Sequence, residues 1–182
     1  MTDHKNHKRV LALDVHPRSF GFVVFEEEHD LLDWGVKDFP SQMASKRIRA
    51  LLDEFAPSAV AIGNRQTRRP RENARMVAKI EEQVRSQRIP VMFISQADLN
   101  KAFVGSEATK YEMASALAKW FPVLASRLPP KRKCWHGEDY RMDIFDAAAA
   151  GVTYFTRRIR SAAQDYSGNP LVGMDADPTT HR

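Results

Sequence analysis

A chain of 182 residues, 43% hydrophobic and 28% charged, has the size and composition of one globular domain with a core of its own. A single cysteine, Cys134, excludes a disulfide framework and a multi-cysteine zinc site, and a reducing, cytoplasmic setting is expected. The polar opening MTDHKNHKRV lacks the apolar stretch of a signal peptide, no run approaches a membrane span, and the net charge of +5 suits a polyanionic partner.

The first eight residues read as a flexible arm. RVLALDV (9–15) is a nearly continuous apolar run, the pattern of a strand covered on both faces. FGFVVFE (20–26) follows the Pro-containing turn HPRS, and LLDWGVKDF (31–39) follows EEHD, so the three runs predict an antiparallel meander. SQMASKRIRALLDEF then places Met43, Ile48, Leu51, Leu52 and Phe55 at helical spacing, with Ser41 as the expected N-cap. APSAVAIG returns to a strand. Residues 71–88 read as a polar helix with Met76, Val77, Ile80 and Val84 on one side, and IPVMFIS (89–95) as a fifth strand. KYEMASALAKWFPVLASRL is helical with an interruption at Pro122, and a last helix starts at MDIFDAAAAG and runs to about Arg160. Met76, Met92, Met113, Trp120 and Phe121 read as core. PPKRKCWHGEDYR (129–141) is a basic loop, and residues 162–182 read as a disordered tail, which leaves 9–161 as the domain. A helix between the fourth and fifth strands implies a right-handed parallel crossover joined to the meander, hence an α/β fold with a five-stranded mixed sheet flanked by helices.

Chemistry is suggested by acids in unusual company. Asp14 ends an otherwise apolar strand, where an acid can cap a turn or serve a site. Asp143 and Asp146, three residues apart, share one face of a first helical turn, where acids also stabilise the helix dipole. The alanines that follow let this helix sit close against a sheet, and a carboxylate there is costly to desolvate unless it is paired or metal-bound. Carboxylates drawn from remote segments are the ligands that Mg²⁺ or Mn²⁺ takes. Arg65, Arg68, Arg69 and Arg71 follow the fourth strand and fit either a solvated loop or a phosphate-gripping rim. Lys131, Arg132, Lys133 and Trp135 precede the last helix and fit an opposite rim, with Trp135 as a stacking face for a base. His16 and His136 can serve as acid/base groups, although a lone histidine is more often structural.

Taken in order, D-VHPRSF-G (Asp14, Gly21), VGSEATKYEMASALAKW (Gly105, Ala108, Lys110) and DIFDAAAA (Asp143, Asp146) resemble the RuvC-like branch of the ribonuclease H superfamily, the group of the Holliday-junction resolvases, over residues 9–159. The resemblance implies a ribonuclease H-like domain and a Mg²⁺- or Mn²⁺-dependent endonuclease for branched or structured nucleic acid, branched DNA first. It implies Asp14, Asp143 and Asp146 as catalytic metal ligands, Lys110 as a catalytic residue that reaches a phosphate, and a homodimer matched to a two-fold junction. Two departures stand out. The Pro-Gly that commonly follows the first Asp is Val15-His16, and the family's fourth strand ends V-A-I-E where this chain has AVAIG, with Gly63 in place of the glutamate. Asn64 lies next to that place and Glu72 and Glu138 could swing in from loops, and three acids hold a second ion less well than four. A catalytically silent nucleic-acid-binding module on the same fold, or an RNA-processing nuclease similar to the YqgF type, are the alternatives.

Overall fold

The structure, a computed structural model, describes residues 8–64, 69–103, 109–131, 137 and 139–167. Strand β1 (Val10–Val15) is buried along its whole length because it runs through the middle of the sheet. It pairs antiparallel with β2 (Ser19–Glu27) on one side and parallel with β4 (Ala59–Asn64) on the other. Outside these lie β3 (Asp30–Asp38), antiparallel to β2, and β5 (Val91–Ser95), parallel to β4, so the order is β3-β2-β1-β4-β5. This is the five-stranded mixed sheet that the sequence predicts.

Each face of the sheet has its own core. Helices α1 (Ala44–Phe55) and α2 (Pro70–Ser86) cover one face and bury Ile48, Leu52, Met76 and Ile80 against Leu11, Leu13 and Val15 of β1. Fully burying such side chains contributes about 1.5–3 kcal/mol each. Helices α3 (Gln96–Ala102), α4 (Lys110–Trp120) and α5 (Met142–Ser167) cover the other face, over Val10 and Ala12. Strand alternation therefore assigns Asp14 to the α5 face.

That second face is lined by small residues. The sheet offers Ala12, Ala59 and Ala61, and α5 meets it with Ala147, Ala148, Ala149 and Ala150, each at most 1% exposed. Two glycines set the approach. Gly21 has no room for a Cβ because the Asp143 carbonyl of α5 lies against it, and Gly151 has none because the Phe25 ring does. The helix thus rests on the sheet at both points through bare backbone.

Several boundaries differ from the sequence reading. Ser41 opens a short 3₁₀ turn (Ser41–Met43) and makes no side-chain cap; α1 starts after Met43. Trp120 is not core. It is 54% exposed at the last position of α4 and stacks on Phe103, because the chain leaves the helix before Pro122 and turns that face outward. The last helix continues to Ser167, so residues 162–167, which begin with the helix-favouring Ala162 and Ala163, are helical. Among the described residues no helix is long and apolar enough to cross a membrane.

Candidate functional site

The site forms where β1 ends beneath the first turn of α5. Asp14 stands opposite Gly21 on β2 and opposite Gly63 on β4, so neither neighbouring strand contributes a side chain beside its carboxylate on the α5 face. Asp14 is 3% exposed even so, because α5 lies over it. The turn that delivers α5 is fixed by Asp139, whose carboxylate takes two hydrogen bonds from the Arg141 guanidinium at 2.9 and 2.7 Å and is held below the usual carboxylate range by them. The Met142 and Asp143 N–H groups donate to the Asp139 and Tyr140 carbonyls at 2.9 and 3.2 Å, and this starts the helix with Asp143 in its first turn.

His16 joins the two aspartates. Its Nε2 lies 2.9 Å from Asp14 Oδ2 and 3.4 Å from Asp143 Oδ1. The hydrogen bond to Asp14, then that to Asp143, push the imidazole pKa up to about 10, and its partial burial, which favours the neutral ring, is too small to offset them. One ligand atom each from Asp14, His16 and Asp143 lie within 4.8 Å of one another. In the sequence His16 stands as a lone histidine, but a usable signal is present there. At i+2 from Asp14 it has the same strand parity, and the turn in which the His16 N–H donates to the Ser19 carbonyl at 2.9 Å keeps it beside the strand end.

Asp146 lies one turn further along α5, 5% exposed, and its Oδ2 is 2.9 Å from Lys110 Nζ. Lys110 is the first residue of α4, which a capping box between Thr109 and Glu112 fixes in place. The structure therefore brings Asp14, His16 and Asp143 into one cluster and ties Asp146 to Lys110 beside it.

The donor set suits a divalent cation. Ligands about 2.1 Å from an ion in octahedral geometry stand about 3 Å from their neighbours, which is near the 2.9 and 3.4 Å separations around His16 Nε2. The strand next to Asp14 has space for a further donor. A Cβ on Gly63 would lie 3.5 Å from the Leu13 carbonyl oxygen and 3.7 Å from both Ala150 Cβ and Asp14 Oδ1, which are ordinary contacts. Glu72 is exposed and ion-paired with Arg69 at 3.3 Å. The backbone of Asn64 ends β4, in register with Ser95.

Of the basic residues, Arg69, Arg71 and Lys131 are exposed, and the first two open α2 just after β4, whose carboxyl end is also the Asp14 end of the sheet. Arg65, Arg68, Gly105, Ala108, Arg132, Lys133, Trp135, His136 and Glu138 lie outside the described residues.

No protein-family model matches the chain, and no curated protein matches it in sequence. Solved structures do match. RuvC of Thermus thermophilus superposes with a TM-score of 0.64 at 18% identity, over 84% of this chain and 96% of its own. The fold is that of the RuvC-type resolvases. The T. thermophilus RuvC complex with a Holliday-junction substrate gives a TM-score of 0.62 at 20% identity, over 85% and 98% of the two chains. The yeast mitochondrial Holliday-junction resolvase Ydc2 gives 0.59 at 15% identity, over 88% and 85%. The RuvC-type architecture thus covers most of this chain.

Proposed function

We propose that the protein is a divalent-metal-dependent endonuclease for branched nucleic acid, DNA above all. In this reading Asp14, Asp143 and Asp146 form the catalytic centre, and Lys110 and the basic residues on either side hold phosphates. The observation that carries it is the meeting of Asp14, from the central strand, with Asp143, from the first turn of α5, around a ligand set of cation-binding size. The likeness to resolvase structures, one of them bound to a Holliday junction, supports the choice of substrate.

When bound, Mg²⁺ or Mn²⁺ would supply Lewis acidity toward a phosphodiester and a water acidified toward hydroxide. The chain's own residues supply the rest. Asp14 and Asp143 present acceptor-only oxygens from two rigid elements, so little ordering remains to be done when a cation arrives. Lys110 holds an ammonium beside Asp146, where it can meet a phosphate oxygen. Arg69, Arg71 and Lys131, with Arg65, Arg68, Arg132 and Lys133, offer charge to the backbone on either side, and Trp135 offers a ring to an unpaired base. A four-way junction has two equivalent strands to cut, which two copies of this chain related by a two-fold axis would match.

The test is a cleavage panel of four-way junction, linear duplex and structured RNA, with Mg²⁺ or Mn²⁺ and Asp14→Asn as control. Junction cleavage that disappears in Asp14→Asn while junction binding persists supports the reading. Cleavage of RNA alone moves the substrate to the RNA-processing alternative. Gly63, which leaves the strand next to Asp14 without a carboxylate, favours a second reading, a nucleic-acid-binding module without catalysis. Binding of junctions with no cleavage of any substrate would establish that reading and end the first.

A further inference from the structure

We propose that His16 is a direct nitrogen ligand of a single-ion centre made by Asp14, His16 and Asp143, and that this centre takes Mn²⁺ or a later transition ion in preference to Mg²⁺. The inference rests on the metal reading above and specifies its ligand set, stoichiometry and metal class.

The geometry comes first. Nε2 of His16 faces both carboxylates, 2.9 Å from Asp14 Oδ2 and 3.4 Å from Asp143 Oδ1, so the three donors form a compact triangle. The imidazole is held there by its own backbone. The His16 N–H donates to the Ser19 carbonyl at 2.9 Å, and the Phe39 N–H donates to the Arg18 carbonyl at 2.9 Å, which pins the same turn to the end of β3. The His16 side chain is still 36% exposed, which leaves a side open for water and substrate.

Charge points to one ion. A cation bound between these groups takes the place of the proton on His16 Nε2, which leaves to solvent, and two carboxylates with the resulting neutral imidazole balance one divalent cation. A second ion would need another anionic donor; among the described residues Asp146 is ion-paired with Lys110 at 2.9 Å, and β4 presents only Gly63 opposite Asp14. Ligand chemistry then fixes the kind of ion. Mg²⁺ favours oxygen alone, whereas imidazole nitrogen strengthens binding along the series from Mn²⁺ through Co²⁺ and Ni²⁺, so a two-oxygen, one-nitrogen set discriminates against Mg²⁺.

The experiment is a Mn²⁺ titration of the whole chain followed by electron paramagnetic resonance, with pulsed measurement of nitrogen hyperfine coupling and competition by Mg²⁺. The expected result is one Mn²⁺ per chain, a directly bound ¹⁴N signal, and displacement only by more than about a tenfold excess of Mg²⁺. His16→Ala should lose the nitrogen signal and bind Mn²⁺ at least about tenfold more weakly. His16→Asp, which replaces nitrogen by oxygen, should lose the signal and narrow the Mn²⁺ over Mg²⁺ preference. Stoichiometric Mn²⁺ without nitrogen coupling in the unaltered protein overturns the ligand role while leaving the carboxylate site standing. Two ions per chain overturn the single-ion centre. No Mn²⁺ binding at all in the unaltered protein overturns this inference, while the nuclease reading is decided separately by the cleavage panel with Mg²⁺. Because the nitrogen signal is read on the unaltered protein, the test holds whether or not a variant folds.

Discussion

Gly63→Glu places a fourth carboxylate on the strand next to Asp14, and the structure sets both its gain and its cost. A Cβ at this position meets Leu13, Ala150 and Asp14 at 3.5–3.7 Å, so the substitution begins without a clash. Removing a strand glycine also lowers the entropy of the unfolded chain, by roughly 0.5–1 kcal/mol in favour of folding. Against this stands repulsion. With its Cβ 3.7 Å from Asp14 Oδ1, the new carboxylate can come within about 5 Å of the old one, where like charges at an effective dielectric constant of about 20 repel by about 3 kcal/mol. The His16 imidazolium cancels part of it, so the metal-free variant should be less stable by about 1–2 kcal/mol. A divalent cation reverses the sign. The added ligand should tighten Mn²⁺ binding about 10- to 100-fold, equivalent to about 1.4–2.7 kcal/mol. Isothermal titration calorimetry measures the affinity, and thermal unfolding with EDTA and with saturating Mn²⁺ measures the rest. The variant should melt below the parent in EDTA and above it with metal. Equal affinity together with an unchanged melt in EDTA would mean that position 63 does not face Asp14, contrary to the pairing of β1 with β4.

Three further outcomes follow from other parts of the molecule. Gly21→Ala drives a methyl group into the backbone of α5 at Asp143, so urea unfolding should show a loss of about 1–3 kcal/mol or more, accompanied by weaker metal binding; a neutral result would mean that α5 does not rest on β2 there. Ser95→Ala removes the α3 cap and should cost about 0.5–2 kcal/mol at neutral pH. Because the Ser95 hydroxyl and N–H hold the Asp98 carboxyl below its ordinary range, that stability is present above about pH 4 and lost as the pH falls below it, so the difference between parent and variant should shrink in acid unfolding. Neutralising Arg71 or Lys131 should each reduce the slope of junction affinity against salt by about one unit on a double-logarithmic plot, and an unchanged slope removes that residue from the phosphate rim.

The sheet was legible in the sequence because its strands are short apolar runs separated by turn residues, and covering both faces of β1 leaves no polar interruption until Asp14. The spacing of Asp14 and Gly21 was legible only through the family resemblance; that they pair across a hairpin and that α5 rests on Gly21 are decided by the packing. Helix α3 was not, since seven residues with one buried side chain, Leu99, carry no period to detect. Trp120 misled because helical spacing says which side a residue is on but not where the helix stops covering its neighbour. The bond between Lys110 and Asp146 joins α4 to α5, and only the packing of the two elements decides it. His16 is intermediate. Strand parity assigns it to the face of Asp14, but its second contact, with Asp143, depends on how closely α5 approaches.

That closeness makes the candidate centre adjustable from a distance. Asp143 and Asp146 ride on one stiff rod, and the rod's height above β1 is set by what is missing beneath it, the side chains of Gly21 and Gly151 and all but a methyl of Ala147–Ala150. A single added carbon at position 151, about two helical turns from Asp143, would push against Phe25 and tilt the rod. It would widen or narrow the gap between Asp14 and Asp143 without altering Asp14, His16 or Asp143 themselves. The bore of the candidate site is thus machined by the sizes of residues that do no chemistry, and it can be retuned there while all three side chains stay in place.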